Sequence, residues 1–200
     1  MSVRIIRNQE YIPHQAIVFT QQKNIKDFSL TKVAVAYAMR KKYIGEEKAI
    51  WEIEFHPTNN CNLQCDGCSY RTRHNRNTLS IKQISDFLDH YKYYDLRNVF
   101  FSGGGDPLVW KYWREFFFSI HKTCKYGIAT NLFNFSAIKD YWEMFDFYQI
   151  HLTGYDPKSC YKTTGVDSFR YFNDNISFLL SHKLPYQNIV LKVLVNKALR

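Results

Sequence analysis

From residue 50 onward the chain alternates short segments of two-residue hydrophobic periodicity with longer segments of helical periodicity, the pattern of strand and helix units that build a parallel sheet. Five strands are predicted: WEIEF at 51–55, NVFF at 98–101, YGIATN at 126–131, FYQIHLT at 147–153 and NIVLKVLV at 188–195. Between the first two, LSIKQISDFLDHY predicts a helix capped by Ser80, with Ile81, Ile84, Phe87, Leu88 and Tyr91 along one face. A second helix is expected to open at Pro107, a favoured first-turn residue, and to bury Trp110, Trp113, Phe117 and Ile120. A third, from Ser136, carries Tyr141, Trp142 and Phe145. A fourth, from about Asp167, turns Phe169, Phe172, Ile176 and Leu179 inward and stops before Pro185. Ahead of this region SLTKVAVAYAMRKKYIG reads as one helix, started by Ser29, ended by Gly45, and carrying Arg40, Lys41 and Lys42 at its negative end. The expected organisation is a short helical extension over 1–48 and an α/β core over 49–200.

Alternation within the strands sorts residues to two faces. Trp51, Ile53 and Phe55 share one side of the first strand, and Glu52 and Glu54 the other. Where helices cover the outside of a curved sheet, the polar set faces the interior, so Glu52, Glu54, Gln149, His151, Thr153 and Lys192 are expected to line it. Unpaired buried charge is costly, so Glu54 is expected to pair there with Lys192 or His151. The fifth strand is apolar at nearly every position, which invites association at a sheet edge. A cover is expected from a protein partner or a second copy, or from the N-terminal segments RIIRNQEYI or QAIVF. The remaining alternative is a shortened chain.

Composition narrows the class. Hydrophobic residues make up 46% and aromatic residues 18%, more than a disordered chain carries. Eight glycines and five prolines without a repeat exclude collagen-like and low-complexity classes. No apolar run approaches the ~18 residues of a membrane span, and MSVRIIRNQEYIPH lacks a signal-peptide core, so a cytoplasmic protein without membrane attachment is expected. A net charge of +9 suits an acidic partner or, equally, a solvated basic surface. The same two readings apply to RTRHNR at 71–76: a site for a phosphate or acidic substrate, or a solvated loop.

Three of the five cysteines fall within CNLQCDGC, where Cys61, Cys65 and Cys68 form C-x3-C-x2-C directly after the first strand. Spacing this short lets three thiolates meet one inorganic centre. A [4Fe-4S] cluster held by three protein thiolates keeps one iron open to a small molecule. The competing reading is a closed Cys3His zinc site completed by His56 or His74. Cys124 and Cys160 read as ordinary buried or half-buried thiols. After the second strand, SGGGDP places Gly103, Gly104 and Gly105 where backbone approaches a ligand closely, at the carboxyl ends of the strands. Asp106 either contacts that ligand or caps the helix opened by Pro107.

These three motifs in order, the cysteine loop, SGGGDP and the ATN that closes the third strand, resemble the radical S-adenosylmethionine (radical SAM) superfamily over roughly residues 50–197. The resemblance implies a partial (β/α) barrel, with five of the usual six βα units present here. It implies a [4Fe-4S] cluster on Cys61, Cys65 and Cys68 whose open iron is chelated by S-adenosyl-L-methionine, and reductive cleavage of that cofactor to a 5′-deoxyadenosyl radical that takes hydrogen from a substrate. It also implies an external electron donor such as flavodoxin or ferredoxin. Gly104, Gly105 and Asp106 match the family's GGE motif, with Asp one methylene shorter than Glu, and Gly103 precedes them. The residue before the third cysteine is usually aromatic; here it is Gly67, whose backbone retains the adenine contact, and Tyr70 replaces the covering ring. Asn131 and Thr153 occupy positions that often contact ribose or methionine, and both also suit ordinary strand ends. HLTGYDPKSCYKTTG is similar to radical SAM enzymes that modify peptides, except that Thr164 stands where an arginine often precedes the glycine, so the resemblance implies that Lys162 or Lys192 substitutes as the partner of the cofactor's carboxylate. A glycyl-radical activase, a nucleotide- or RNA-modifying enzyme, and a non-catalytic zinc or nucleic-acid-binding protein remain as alternatives.

Overall fold

The computed structural model describes residues 3–6, 49–68, 70, 77–91, 93 and 95–193. Strand β1 is Val3–Ile6 and β2 is Ala49–Phe55. Helix α1 (Ile81–His90) leads to β3 (Asp95–Phe101), and α2 (Trp113–Ser119) leads to β4 (Lys125–Thr130). Two short 3-10 segments then precede β5 (Phe147–Leu152). Helices α3 (Pro157–Thr164) and α4 (Phe169–His182) precede β6 (Asn188–Val193). The sheet runs β1-β2-β3-β4-β5-β6, with β2 to β6 parallel and β1 antiparallel against β2. This is the α/β architecture of five parallel strands expected of a partial, open barrel.

The predicted N-terminal helix and RTRHNR lie outside the described residues. The segment RII does pair with the sheet, but at the β2 edge, opposite β6. Beyond β6 no further strand is paired among the described residues, and Leu191 and Val193 are 49% and 53% exposed.

The helices pack on one face of the sheet over an aromatic core. Ile53 and Phe55 of β2, Val99 and Phe101 of β3, and Tyr126 and Ile128 of β4 are buried there. Phe101 sits at the centre, with ring contacts to Phe55, Trp113, Phe116, Tyr126 and Phe145. Helix α1 begins where Ser80 predicted, with a capping box formed with Gln83. The helix expected from Pro107 is divided: a 3-10 turn covers Pro107–Val109, and α2 starts only at Trp113. Two indole N–H groups fix that division, Trp110 donating to the Leu79 carbonyl and Trp113 to the Pro107 carbonyl, both at 2.8 Å. Consequently Trp113 and Phe116 are the fully buried rings of α2, and Phe117 and Ile120 are only partly covered. The helix expected from Ser136 is likewise two 3-10 segments. Helix α3 was not expected from the hydrophobic pattern.

Candidate functional site

The other face of the sheet bounds a cavity of about 510 Å³ at the carboxyl ends of the parallel strands. Its lining contains Cys61, Cys65, Cys68, Tyr70, Gly103, Gly104, Gly105, Asp106, Asn131 and Thr153, so ten of the eleven candidate residues share one space. Gly67 is the exception: it lies in an exposed turn closed by a hydrogen bond from Cys68 N to Cys65 O, outside that lining.

The cysteine loop is held from three sides. Cys61 Sγ accepts from Leu63 N at 3.4 Å, a bond local to the loop. From β4, Asn131 Nδ2 donates to Asn62 Oδ1 at 2.9 Å and reaches Cys61 Sγ at 4.0 Å. From α3, the carbonyls of Thr164 and Thr163 accept from Gln64 N at 2.9 Å and Asp66 N at 3.0 Å. The third side is the glycine turn, where Gly105 N and Asp106 N donate to the carbonyls of Thr58 and Asn60. Contact is so close that a Cβ on Gly105 would overlap the Asn60 carbonyl, and Gly103 adopts φ +150°, a conformation that favours glycine. Tyr70 places its ring edge against Gly104.

Burial and mutual repulsion push the Cys61 and Cys65 thiols up to about 11, with Asp106 and the neighbouring cysteines adding to the cost of negative charge. Asp106 is itself buried, and burial raises it to about 6. Its carboxylate accepts from Leu108 N at 2.9 Å, Thr130 Oγ1 at 3.0 Å and Asn131 N at 2.7 Å. Asp106 therefore does cap the turn opened by Pro107, and it also ties that turn to the end of β4, all while facing the cavity.

Glu52, Glu54, Gln149, His151 and Lys192 line the same space, as strand alternation predicted. Their pairing differs from expectation. Glu54 meets His56 Nε2 at 3.1 Å and accepts a short hydrogen bond from Ser102 Oγ, rather than bonding Lys192 or His151. Ser102 and His56 reach Glu54 first because β3 is parallel to β2 and aligns Phe55 with Phe101, setting the residues just beyond both strands side by side. His151 Nε2 instead accepts from Gln149 Nε2 at 2.9 Å. Of the two lysines considered as carboxylate partners, Lys192 faces the cavity and Lys162 does not. Sequence reasoning missed Ser102, Thr130 and Asn62; their signal was position, each flanking a motif residue.

Among the described residues no three His, Cys, Asp or Glu side chains converge tightly enough for a single ion. All three thiols open onto the one cavity. His56, one proposed fourth zinc ligand, is engaged by Glu54, and His74 lies outside the described residues.

The radical SAM superfamily model matches residues 55–193, and the chain belongs to that superfamily. It is a radical SAM enzyme, of a family that works with S-adenosylmethionine and a [4Fe-4S] cluster. Among solved structures, Streptococcus suis SuiB bound to S-adenosylmethionine is similar at 16% identity, covering 92% of this chain and 49% of that one, with a TM-score of 0.50. The FeFe-hydrogenase maturase HydG from Carboxydothermus hydrogenoformans is similar at 12% identity, covering 86% of this chain and 42% of that one, with a TM-score of 0.50. At these identities the likeness is one of fold. The chain spans about half the length of these structures or less. No curated protein matches it. No helix among the described residues is long and apolar enough to cross a membrane.

Proposed function

We propose that this enzyme ligates a [4Fe-4S] cluster through Cys61, Cys65 and Cys68, cleaves S-adenosylmethionine reductively beside it, and directs the resulting 5′-deoxyadenosyl radical to a hydrogen atom of a peptide or protein substrate. The observation that carries this reading is the shared cavity, into which the cysteine loop, the glycine turn and the ends of β4 and β5 all open. Bound there, the cluster and its cofactor supply the electron transfer and the radical. The chain's own residues bind, orient and exclude water. Gly103, Gly104 and Gly105 bring bare backbone to the cofactor's amino-acid end. Asp106 fixes that turn against β4, and its negative charge complements an ammonium. Asn131 presents an amide N–H towards the Cys61 sulfur, the kind of contact that tunes a cluster. Cys68 is the exposed member of the thiol set, so a flavodoxin- or ferredoxin-type donor approaches from its side. Residues 49–200 form the catalytic unit in this reading, with 1–48 as an extension. The peptide assignment rests on HLTGYDPKSCYKTTG, which forms the end of β5 and α3.

Anaerobic reconstitution tests the reading. About four iron and four sulfide per chain are expected, with release of 5′-deoxyadenosine on adding dithionite and S-adenosylmethionine. Cys65→Ala is expected to lose cluster and cleavage together. Stoichiometric zinc in place of iron, or cleavage retained by Cys65→Ala, would overturn the assignment.

A further inference from the structure

The cavity wall farthest from the glycine turn carries a cation, Lys192, that the proposed function leaves without a role. Lys192 lies on β6, directly across from His151 of β5 in the parallel register, and both side chains line the cavity. Among the described residues no carboxylate bonds to Lys192: Glu54 is engaged by His56 and Ser102 on the opposite wall, and Asp106 by Leu108, Thr130 and Asn131. Gln149 donates to His151 Nε2, which leaves the ring proton on Nδ1. Burial and the neighbouring ammonium hold His151 down to about 4, so the ring is neutral and adds no second charge. The wall therefore offers one ammonium beside a neutral imidazole, with no carboxylate of the described residues bonded to the ammonium. Lys192 is exposed at the open side of the cavity, where an ammonium with no carboxylate bonded to it can take an oxygen of an incoming anion.

We propose that Lys192 and His151 form an anion-binding subsite for the substrate, taking a carboxylate or phosphate oxygen on the molecule from which hydrogen is removed. This rests on the radical SAM reading of the cavity and adds to it a chemical requirement on the substrate. The floor between the two walls is apolar, formed by Phe100 and Ala129 with Phe147 and Val190 packed beneath, so an extended substrate places its uncharged part there and its anionic group at Lys192. The cofactor has its own reason to lie elsewhere. In the proposed reading its amino and carboxylate groups would be held beside the cysteine loop and the glycine turn, whereas β6 stands three strands beyond β3, roughly 14 Å along the sheet at ~4.8 Å per strand.

The test uses cluster-reconstituted protein with 15N-labelled histidine, the His151 ring signals being identified by their loss in His151→Gln. Inorganic phosphate is titrated with and without saturating S-adenosylmethionine, with sodium chloride as the ionic-strength control. The proposal expects a saturable phosphate-dependent shift of the His151 signals that persists with the cofactor bound. Lys192→Met is expected to weaken it at least tenfold and Lys192→Arg to retain most of it, while both variants keep iron content within about threefold of wild type. If S-adenosylmethionine alone produces the shift and abolishes the response to phosphate, the subsite belongs to the cofactor's carboxylate and the substrate assignment is overturned. A response absent in wild type, or unchanged in Lys192→Met, overturns the subsite altogether. Failure of the radical SAM reading shows separately, as absence of iron before any titration.

Discussion

Asp106 carries two loads at once. Three donors converge on its carboxylate, from the turn after Pro107, the Thr130 hydroxyl and the start of the loop after β4. Removing the carboxylate leaves two buried backbone N–H groups without an acceptor, each worth ~1–3 kcal/mol. Asp106→Ala is therefore expected to lower unfolding free energy by about 2–4 kcal/mol in urea and to weaken S-adenosylmethionine binding in the same protein, with Thr130→Val costing about 1 kcal/mol. An unchanged urea midpoint in Asp106→Ala would remove the tie between the two loops. At this scale the sequence was informative where a motif demanded a residue type: three cysteines at short spacing, three glycines in a strand-to-helix turn. It was silent where a role depends on what a third segment supplies. Whether Asp106 caps a helix or contacts a ligand was open in the sequence; the structure shows that it caps the turn and also lines the cavity, tied there by Thr130 and Asn131.

Strand β5 shows what an element adds to its residues. Its outer face buries Tyr148 and Ile150, which forces Gln149 and His151 inward beside Lys192 of β6. His151 is held down to about 4 from an ordinary 6.5 by burial and by that ammonium. Between these values the unfolded chain binds a proton that the folded chain does not, so this group's contribution makes stability rise with pH from about 4 to 6.5 and fall as pH drops through that window. Asp106, raised to about 6, acts with the opposite sign over much of the same range. The informative comparison is therefore wild type against His151→Gln. The variant is expected to lose the acid-side decline attributable to His151 in chemical unfolding between pH 4.5 and 7, and a pair of parallel curves would argue against a neutral buried ring. Strands were legible as short apolar runs between turn signals, alternating in WEIEF and nearly continuous in NIVLKVLV, as parallel sheets allow. Helices were legible only where an apolar stripe marked them. Helix α3 buries Cys160, Thr163 and Thr164, a mostly polar face without such a stripe, although Asp156, Pro157, Ser159 and Gly165 spelled its start and stop. The segment after Pro107 had a helical stripe, yet the Trp110 indole is committed to the Leu79 carbonyl and the helix breaks there.

The molecule as a whole has two unlike edges. At β2 the strand Val3–Ile6 closes the sheet in antiparallel register, whereas β6 presents Leu191 and Val193 at 49% and 53% exposure. A long apolar edge templates pairing with another chain. Sedimentation velocity at tens of micromolar is expected to show self-association that Val193→Lys suppresses, with cluster content unchanged, since a charge on an edge opposes pairing. A wild type that stays monomeric across the concentration range would assign the cover of β6 to residues outside those described. The architecture was legible at this scale, because five strand signals separated by helix-length segments admit few topologies. The destination of RII was not, since a four-residue strand fits either edge and pairing partners at long separation leave no local trace.

The backbone bonds between the cysteine loop and α3 also set an order of events in the life of the chain. Gln64 and Asp66 donate to the carbonyls of Thr164 and Thr163, so the loop takes its shape from a helix made 100 positions later. On the ribosome the three thiols emerge long before their template does, at a rate of ~5–20 residues per second. During that interval they are ordinary cysteines, open to oxygen and to whichever metal is at hand. In the proposed reading, loading with iron and sulfide therefore follows the folding of α3 rather than the emergence of the cysteines.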